Sequence, residues 1–315
     1  MSSKGFVIGV ISILCVSHGR PDLVMECLTS CDLQDYPQKE ILVVLNPADS
    51  ATELAIRASL PKVQILRTHQ NIGFFPGLNL AIANSTGDYL MIVDDDARFL
   101  SSDALSGLAA KFRDEPRLGA VTCNLEGPHE TPIHGSDQYI RVFTTGFTML
   151  PRKVVTEWVG YIPDLFFRSA GETFWCTQLW QQRRPVKRVQ NVRMFHALAS
   201  KGRSTRDWHF HGLRSQILCA LMREPISWML PVLASKFVKS LLQLGKSGEL
   251  NIWIRAWASS LFHLRDALKF RNPISPSTRR LLARLDRVPV LDIEALPEWQ
   301  AAGSGDAEHG RVLSA

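Results

Sequence analysis

Three consecutive carboxylates follow an apolar run in the first third of the chain. Residues 89–93 have the composition of a buried strand, and Asp94, Asp95 and Asp96 come directly after it. Burying adjacent carboxylates without a cation is costly, because they repel each other and lose their hydration. Ligands bind at the carboxyl ends of parallel strands, and carboxylate oxygens suit a hard divalent cation. The run therefore indicates a site for Mg²⁺ or Mn²⁺ and a phosphate-bearing substrate, against the alternative of a solvated junction between strand and loop.

The elements that must position these carboxylates alternate along the N-terminal part of the chain. Near-continuous apolar strands are predicted at 7–16, 40–45, 63–67, 89–93 and 120–124. Helical patterns separate them at 22–32, 51–59, 77–84 and 103–112. This alternation predicts an α/β fold, with a mostly parallel, Rossmann-like sheet and helices on both faces.

The pattern changes in the second half of the chain. Strands are predicted at 142–150 and 186–192, and helices at 153–159, at 178–182 and from 209 to 287. Residues 301–315 are rich in Gly, Ser and Ala, which predicts disorder. We therefore expect an α/β catalytic domain at 1–205, a basic helical region at 206–300 and a disordered tail at 301–315.

Composition and cysteine usage are those of a folded intracellular protein. Apolar residues make up 45% of the 315 positions and charged residues 21%. The six cysteines are scattered without paired zinc-site spacing, which predicts reduced, mostly buried thiols and a cytoplasmic location. The apolar run at 6–16 is interpreted as the first strand rather than a signal peptide, and no stretch reaches the ~18 apolar residues of a spanning helix.

Positive charge is concentrated in the C-terminal part. Residues 201–287 contain 16 Lys and Arg against five carboxylates, in a chain whose net charge is +6. Tryptophans and cations alternate with apolar residues over 215–270, a pattern typical of interfacial helices on an anionic membrane. The alternative is an amphipathic bundle that packs on the catalytic domain or on a partner subunit. No recognition motif accompanies the charge, so nucleic acid is not expected as a partner.

Several segments in order resemble family 2 glycosyltransferases, most closely their rhamnosyltransferase-like branch. They are VISILCVSHGR at 10–20, QDYP at 34–37, EILVVLN at 40–46, NIGFFPGLN at 71–79, GDY and DDD within 87–96, and TG followed by WVG and FF within 145–167. The resemblance covers residues 7–204. It implies a GT-A fold, in which a nucleotide-binding half-sheet leads into an acceptor-binding half.

The resemblance assigns a metal centre to the acidic run. It implies that Asp94 holds the ribose or the metal, that Asp96 binds the metal, and that His196 is a further ligand. For Asp95 it leaves two roles open, contact with the nucleotide sugar or a helper role in which the side chain faces solvent or a backbone amide. Mn²⁺ or Mg²⁺ would supply Lewis-acid charge to the leaving diphosphate.

The nucleotide is expected at the ends of the first two strands and at the glycine-containing loop. The residues concerned are Ser17, His18, Arg20, Asn46, Asn71, Gly73 and Asn79. For Asn71 and Asn79 the alternative is that they only cap the turn. Relatives often carry an acid at or near Asn46, so the base stays open among UDP, dTDP and GDP.

An inverting transfer needs a general base at the acceptor hydroxyl. Relatives carry Glu-Asp at the start of an acceptor-site helix, whereas this chain has Glu172-Thr173. Thr cannot act as a base near neutral pH. We therefore predict Glu172 as the base, with Asp164 as the next candidate. The alternatives are that Glu172 only places charge at a helix N-terminus or that the protein is inactive.

The combined prediction is a metal-dependent, inverting hexosyl- or deoxyhexosyltransferase. It would transfer a sugar from a nucleotide-diphosphate donor to a glycan or lipid-linked acceptor, in surface polysaccharide synthesis, on the inner face of the plasma membrane. The rival interpretation is a catalytically silent GT-A scaffold, for which Thr173 is the evidence. A nucleotidyltransferase is disfavoured, because residues 17–21 lack the Gly-rich, cationic phosphate loop of those enzymes. The oligomeric state stays open.

Overall fold

The computed structural model describes residues 9–128, 130–197 and 204–303. The N-terminal half of its sheet is parallel, in the order β3-β2-β1-β4. These strands are β1 (Ile11–Ser17), β2 (Lys39–Leu45), β3 (Gln64–Arg67) and β4 (Tyr89–Asp94). The helices between them are α1 (Pro21–Asp32), α2 (Ser50–Ser59) and α3 (Phe74–Ala83). Strands β1, β2 and β4 are buried along most of their length, because helices cover both faces.

The second half continues the same sheet with mixed pairing, in the order β4-β8-β6-β9-β5, and β7 joins β9. Its strands are β5 (Ala97–Phe99), β6 (Ala120–Glu126), β7 (Gln138–Tyr139), β8 (Phe147–Pro151) and β9 (Val186–His196). Its helices are α4 (Ala104–Asp114), a π-helical turn (Val154–Trp158) and α5 (Gly171–Gln181). Because β8 runs antiparallel to both β4 and β6, the loop before β8 lies beside the end of β4.

Among the described residues, six helices follow the sheet. They are α6 (Thr205–Arg223), α7 (Ile226–Lys246), α8 (Leu250–Phe262), α9 (Leu264–Lys269), α10 (Pro276–Leu285) and α11 (Pro297–Gly303). Helix α6 packs on α5 and also contacts α7, α8 and α9. Within the described residues, no helix combines the length and apolar character that a membrane crossing requires.

Most elements of the N-terminal half lie where the sequence predicts them, and all six cysteines are buried free thiols. Three expectations for other elements were wrong. Helix α3 begins at Phe74 rather than at 77, and β8 begins at Phe147 rather than at 142. Helix α5 begins at Gly171 rather than at 178, because a helix buried on nearly all sides has no amphipathic period to reveal its start.

The ends of the chain are described in part. Helix α11 includes 301–303, where the sequence predicts a disordered tail. Residues 304–315 and 1–8 lie outside the described residues. The domain boundaries at 205 and 300 stay predictions, and α6 begins at the first of them.

Candidate active site

Two strand ends bring the acidic run and His196 together. In the register of β5 and β9, Ala97 lies opposite His196, so the turn at 95–96 ends beside the imidazole. Asp94, Asp96 and His196 each offer one ligand atom, and these atoms lie within 4.8 Å of one another. His196 Nε2 lies 3.6 Å from Asp96 Oδ1. Atoms at that separation can both reach one ion at ~2.1 Å, the bond length of a hard divalent cation.

A second carboxylate fixes the orientation of His196. Glu130 Oε1 lies 2.9 Å from His196 Nδ1, and Phe147 packs edge-on against the ring. Burial alone would lower the pKa of His196, but the carboxylates of Asp96 and Glu130 outweigh it and raise this pKa. Nε2 is buried and has no hydrogen-bond partner among the described residues. A histidine held through one nitrogen, with the other aimed at carboxylates, is the arrangement of a metal ligand. The sequence analysis missed Glu130, because no motif marks a loop residue 66 positions from its partner.

Asp95 is directed into the fold rather than towards the metal ligands. It is buried and accepts hydrogen bonds from Ser17 Oγ at 2.9 Å and from the His18 backbone amide at 3.3 Å. Arg20 Nη1 lies 3.3 Å from Asp95 and 2.8 Å from Asp96. Burial raises the pKa of Asp95, and the Arg20 charge opposes that shift. The guanidinium therefore compensates two buried carboxylates at the edge of the site.

Asn46 connects the end of β2 to the glycine-containing loop. Its Nδ2 donates to Gly73 O at 2.9 Å and to Asn71 Oδ1 at 3.3 Å, and its Oδ1 accepts from the Ile72 amide at 2.9 Å. Asn71 Oδ1 also accepts from the Gly73 amide at 2.9 Å. Gly73 has φ +97°, and a Cβ there would overlap Phe167. Asn46 and Asn71 therefore shape this loop through their own side chains.

Asn79 is separated from the other predicted nucleotide residues. It lies on α3 and donates to Ile162 O at 2.7 Å and to Asp164 Oδ1 at 3.5 Å. Asp164 is exposed. These contacts join the nucleotide half of the sheet to the segment before α5.

Glu172 lies in the first turn of α5, and residues 145–146 connect it to the acidic run. Thr145 Oγ1 donates to Glu172 Oε2 at 3.4 Å, and the neighbouring Gly146 accepts from the Asp94 amide at 3.1 Å. A Cβ on Gly146 would lie 2.0 Å from Asp94 Cγ. Burial raises the pKa of the Glu172 carboxyl, against hydrogen bonds from backbone amides and Thr145 that favour the ionised form.

A cavity of about 1030 Å³ opens at Glu172, between the start of α5 and helices α6 and α7. Three carboxylates line it. Asp286 pairs with Arg141 and Glu224 pairs with Arg279, whereas Glu172 forms no ion pair with any described residue. Asp164 is not among the lining residues. The cavity therefore offers one carboxylate that is raised in pKa and available to a ligand.

Residues 12–165, which contain the acidic run, match the family model for glycosyl transferase family 2. This part of the chain is therefore similar to glycosyltransferase family 2. The chain is 32% identical over 106 residues to an N-acetylglucosaminyltransferase of Bradyrhizobium elkanii, an alignment covering 32% of this chain and 57% of that protein. The chain thus spans less than two thirds of the curated relative's length.

Solved structures give the fold of the chain. A mannosyltransferase of Pyrobaculum calidifontis, in complex with GDP-Man and Mn²⁺, superposes with a TM-score of 0.56 at 16% identity, over 95% of this chain and 87% of that one. S. aureus TarS 1-349 in complex with UDP-GlcNAc gives 0.58 at 15% identity, over 88% and 87%. The chain therefore has the GT-A fold that the sequence predicts. Its placement in the rhamnosyltransferase-like branch stays a prediction.

Proposed function

We propose that the protein is an inverting glycosyltransferase that uses a divalent cation to transfer a sugar from a nucleotide-diphosphate donor to an acceptor hydroxyl. One observation carries the proposal: a three-ligand group, Asp94, Asp96 and His196, lies next to a turn that contacts a half-buried glutamate. The match of residues 12–165 to the family model supports it, as do fold relatives that bind GDP-Man or UDP-GlcNAc.

The residues at the end of β4 fit a divalent cation. Two carboxylates and a neutral imidazole are suitable ligands for Mn²⁺ or Mg²⁺, and Nε2 of His196 faces them without another described partner. Asp94, Asp96 and His196 would hold the ion, which would supply positive charge to the diphosphate leaving group. Arg20 adds a fixed positive charge beside the same carboxylates.

We expect the donor nucleotide to bind between the end of β1 and the loop at 71–73. Ser17, His18 and Arg20 lie at the end of β1 or directly after it, and Asn46 and Asn71 hydrogen-bond to the backbone of the loop. A preformed loop of this kind lowers the entropy cost of binding a nucleotide. The sugar, the base and a role for Asn79 in donor binding remain predictions.

Glu172 would activate the acceptor. Its carboxylate accepts the proton of the acceptor hydroxyl as that oxygen bonds to the anomeric carbon of the donor. The bond from the anomeric carbon to the diphosphate oxygen breaks, and the nucleoside diphosphate leaves with the electron pair. Attack from the face opposite the leaving group inverts the anomeric configuration. The raised pKa of Glu172 makes it a stronger base than an exposed glutamate.

Thr173 favours a second candidate, a GT-A protein that binds a nucleotide sugar without turnover. Relatives carry Asp after this Glu, and Thr173 instead offers the cavity a hydroxyl. The two candidates differ in whether donor is consumed. A silent protein would bind nucleotide, and Glu172→Gln would change nothing.

Calorimetric titration of UDP, dTDP and GDP, each with Mn²⁺ and with EDTA, tests the proposed site. We expect one nucleotide to bind at least about tenfold more tightly with Mn²⁺, a difference of about 1.4 kcal/mol. Equal affinity in EDTA would contradict the metal assignment. No binding by any of the three would contradict the glycosyltransferase itself.

A further inference from the structure

The cavity beside Glu172 has one apolar side and one cationic side. Its apolar side is formed by Trp228, Pro231, Val232 and Leu244 of α7 together with Leu213 of α6. Its volume of about 1030 Å³ matches the upper end of the ~300–1,000 Å³ range of small-molecule pockets. A sugar ring alone would leave most of this space empty.

Three cations line the cavity without a carboxylate partner among the described residues. They are Arg223, Lys236 and Lys239, whereas the other two, Arg141 and Arg279, are neutralised by ion pairs. Arg223 is buried and donates only to backbone oxygens, those of Phe174 and Asn272. Lys236 is partly buried and donates to Gln216 Oε1 at 3.1 Å. Burial lowers the pKa of both Arg223, to about 9, and Lys236.

Arg223 is buried, Lys236 is half-buried and Lys239 is exposed, and three such cations without an ion pair indicate a ligand that supplies the negative charge. Desolvating an uncompensated cation costs free energy that an anionic ligand recovers on binding. Phosphate esters offer oxygens to both Lys and Arg. The two lysines lie on consecutive turns of α7, on the same face as Pro231 and Val232, so an anion and an apolar group would bind side by side.

We propose that this cavity binds the acceptor and that the acceptor is a phosphate ester of an apolar alcohol that carries a further, free hydroxyl group, with its phosphate at Lys236, Lys239 and Arg223. This inference rests on the proposed function, because it assigns the acceptor class to the same site. The acceptor hydroxyl would lie at Glu172, at the α5 end of the cavity. The apolar side of α7 favours a lipid phosphate over a free phosphate.

Binding of simple probes tests the acceptor class without turnover. Decyl phosphate, decyl glucoside and inorganic phosphate are titrated calorimetrically into the full chain, its K236A/K239A variant and K246A. Lys246 is a matched control, because it is an exposed lysine of α7 outside the cavity. We expect wild type and K246A to bind decyl phosphate more tightly than decyl glucoside. K236A/K239A should bind decyl phosphate at least about tenfold more weakly than wild type does.

These titrations distinguish a lipid phosphate from a free phosphate. They also distinguish failure of the acceptor inference from failure of the proposed glycosyltransferase function. Tighter binding of decyl phosphate than of inorganic phosphate supports a lipid phosphate, and equal affinities indicate a free phosphate group. Equal affinity of K236A/K239A and K246A, with both melting as wild type, would overturn the cavity assignment. The UDP, dTDP and GDP titrations with Mn²⁺ are the control for the proposed function. If a nucleotide binds and decyl phosphate does not, only the acceptor inference fails.

A second observation is independent of the cavity: α7 and α8 carry apolar stripes that face solvent. On α7 these are Ile226, Leu230, Val238 and Leu242, and on α8 Leu250, Ile254 and Leu261. Ile226 is 78% and Leu230 70% exposed. Soluble proteins seldom expose large apolar side chains in a row along one helix.

We infer that these two stripes lie on an anionic lipid bilayer. Exposed cations flank them, including Lys246 and Arg255, in a region with 16 Lys and Arg against five carboxylates. Apolar stripes beside cations match a membrane that offers both hydrocarbon and negative headgroups. The sequence also allowed a helical bundle that packs on the rest of the protein. In α8 such packing accounts for the buried side, which carries Ile252 and Ala256, and leaves the exposed apolar stripe unexplained.

Vesicle sedimentation tests this surface. Vesicles of phosphatidylcholine with and without phosphatidylglycerol are mixed with wild type, L230D/L242D and the control L54D. Leu54 is 68% exposed on α2, away from the stripes. We expect salt-sensitive binding to the anionic vesicles by wild type and L54D, and at least about a tenfold loss in L230D/L242D. Equal binding to both vesicle types, or a wild-type dimer that L230D/L242D abolishes in ultracentrifugation, would overturn the inference.

Discussion

The three adjacent carboxylates of the acidic run have different partners, which divides their roles. Asp95 accepts hydrogen bonds from Ser17 and from the amide of His18, whereas Asp94 and Asp96 meet His196. One carboxylate therefore supports the fold of the loop after β1, and two face the site. Loss of a residue that supports the fold lowers stability, whereas loss of a metal ligand lowers metal affinity. Single substitutions can therefore distinguish the two roles.

Asp96→Asn and Asp95→Asn form a matched pair. We expect Asp96→Asn to weaken Mn²⁺ binding at least about tenfold, because it removes a charged ligand. Asp95→Asn should keep most of the Mn²⁺ affinity and lower the free energy of unfolding by about 1–2 kcal/mol, because its bonds to Ser17 and His18 weaken. Calorimetric Mn²⁺ titration and urea unfolding measure the two effects. Loss of Mn²⁺ binding in Asp95→Asn alone would reverse the assignment.

Activity should depend on the ionisation of Glu172. A general base works only when deprotonated, and burial raises the pKa of this carboxyl above its usual value. We therefore expect kcat/KM to fall as pH decreases through that raised pKa, at a higher pH than an exposed glutamate would give. The pH profile of sugar transfer measures this.

Substitution of the two candidate bases identifies the carboxylate that deprotonates the acceptor hydroxyl. Glu172→Gln should reduce kcat by ~10²–10⁴-fold and leave nucleotide affinity unchanged. Asp164→Asn is the control, because Asp164 is exposed and contacts only Asn79 among the described residues at the 3.5 Å limit. Full activity in Glu172→Gln together with loss in Asp164→Asn would transfer the base to Asp164.

At the scale of elements, local patterns predict the strands and not the loops that complete the site. β1, β2 and β4 are continuous apolar runs, so their ends and the acidic run were predictable. Glu130 comes from a loop between β6 and β7, and only tertiary packing brings it to His196. The register of β8 likewise depends on its partners, which is why its start at Phe147 was not predicted.

The turn before β8 leaves no room for a side chain at Gly146. A Cβ there would lie 2.0 Å from Asp94 Cγ, so Gly146→Ala must displace that carboxylate. We expect a loss of Mn²⁺ affinity and a destabilisation of about 1–3 kcal/mol from overpacking. Gly245→Ala in α7 is the control, because its Cβ meets nothing within 4 Å, and alanine should stabilise that helix by about 0.5–1 kcal/mol. Unchanged Mn²⁺ affinity in Gly146→Ala would show that Asp94 is not a ligand.

Across the whole molecule, the C-terminal helices hold the segment that precedes Glu172, the proposed base. Ser215 Oγ of α6 donates to Arg168 O at 2.8 Å, and Arg214 Nη1 donates to Leu165 O at 2.6 Å. Between this segment and Glu172, Ser169 and Ala170 have positive φ values of 61° and 64°. Non-glycine residues in this region carry strain, which the bonds from α6 offset. Helix α6 therefore positions Glu172 without touching the metal ligands.

Ser215→Ala tests this coupling between the helical region and the base. The lost hydrogen bond should cost about 1 kcal/mol of stability and, by loosening residues 168–171, lower kcat about 3- to 10-fold. The affinity for Mn²⁺ should not change, because Ser215 bonds to Arg168 O and neither residue is one of the proposed metal ligands. Ser260→Ala is the matched control: Ser260 is equally buried, but its hydroxyl donates to Ala256 within α8. It should lose similar stability and keep its kcat. Equal kcat in the two variants would mean that α6 supports the fold alone, whereas a kcat loss confined to Ser215→Ala would make the helical region part of the catalytic apparatus.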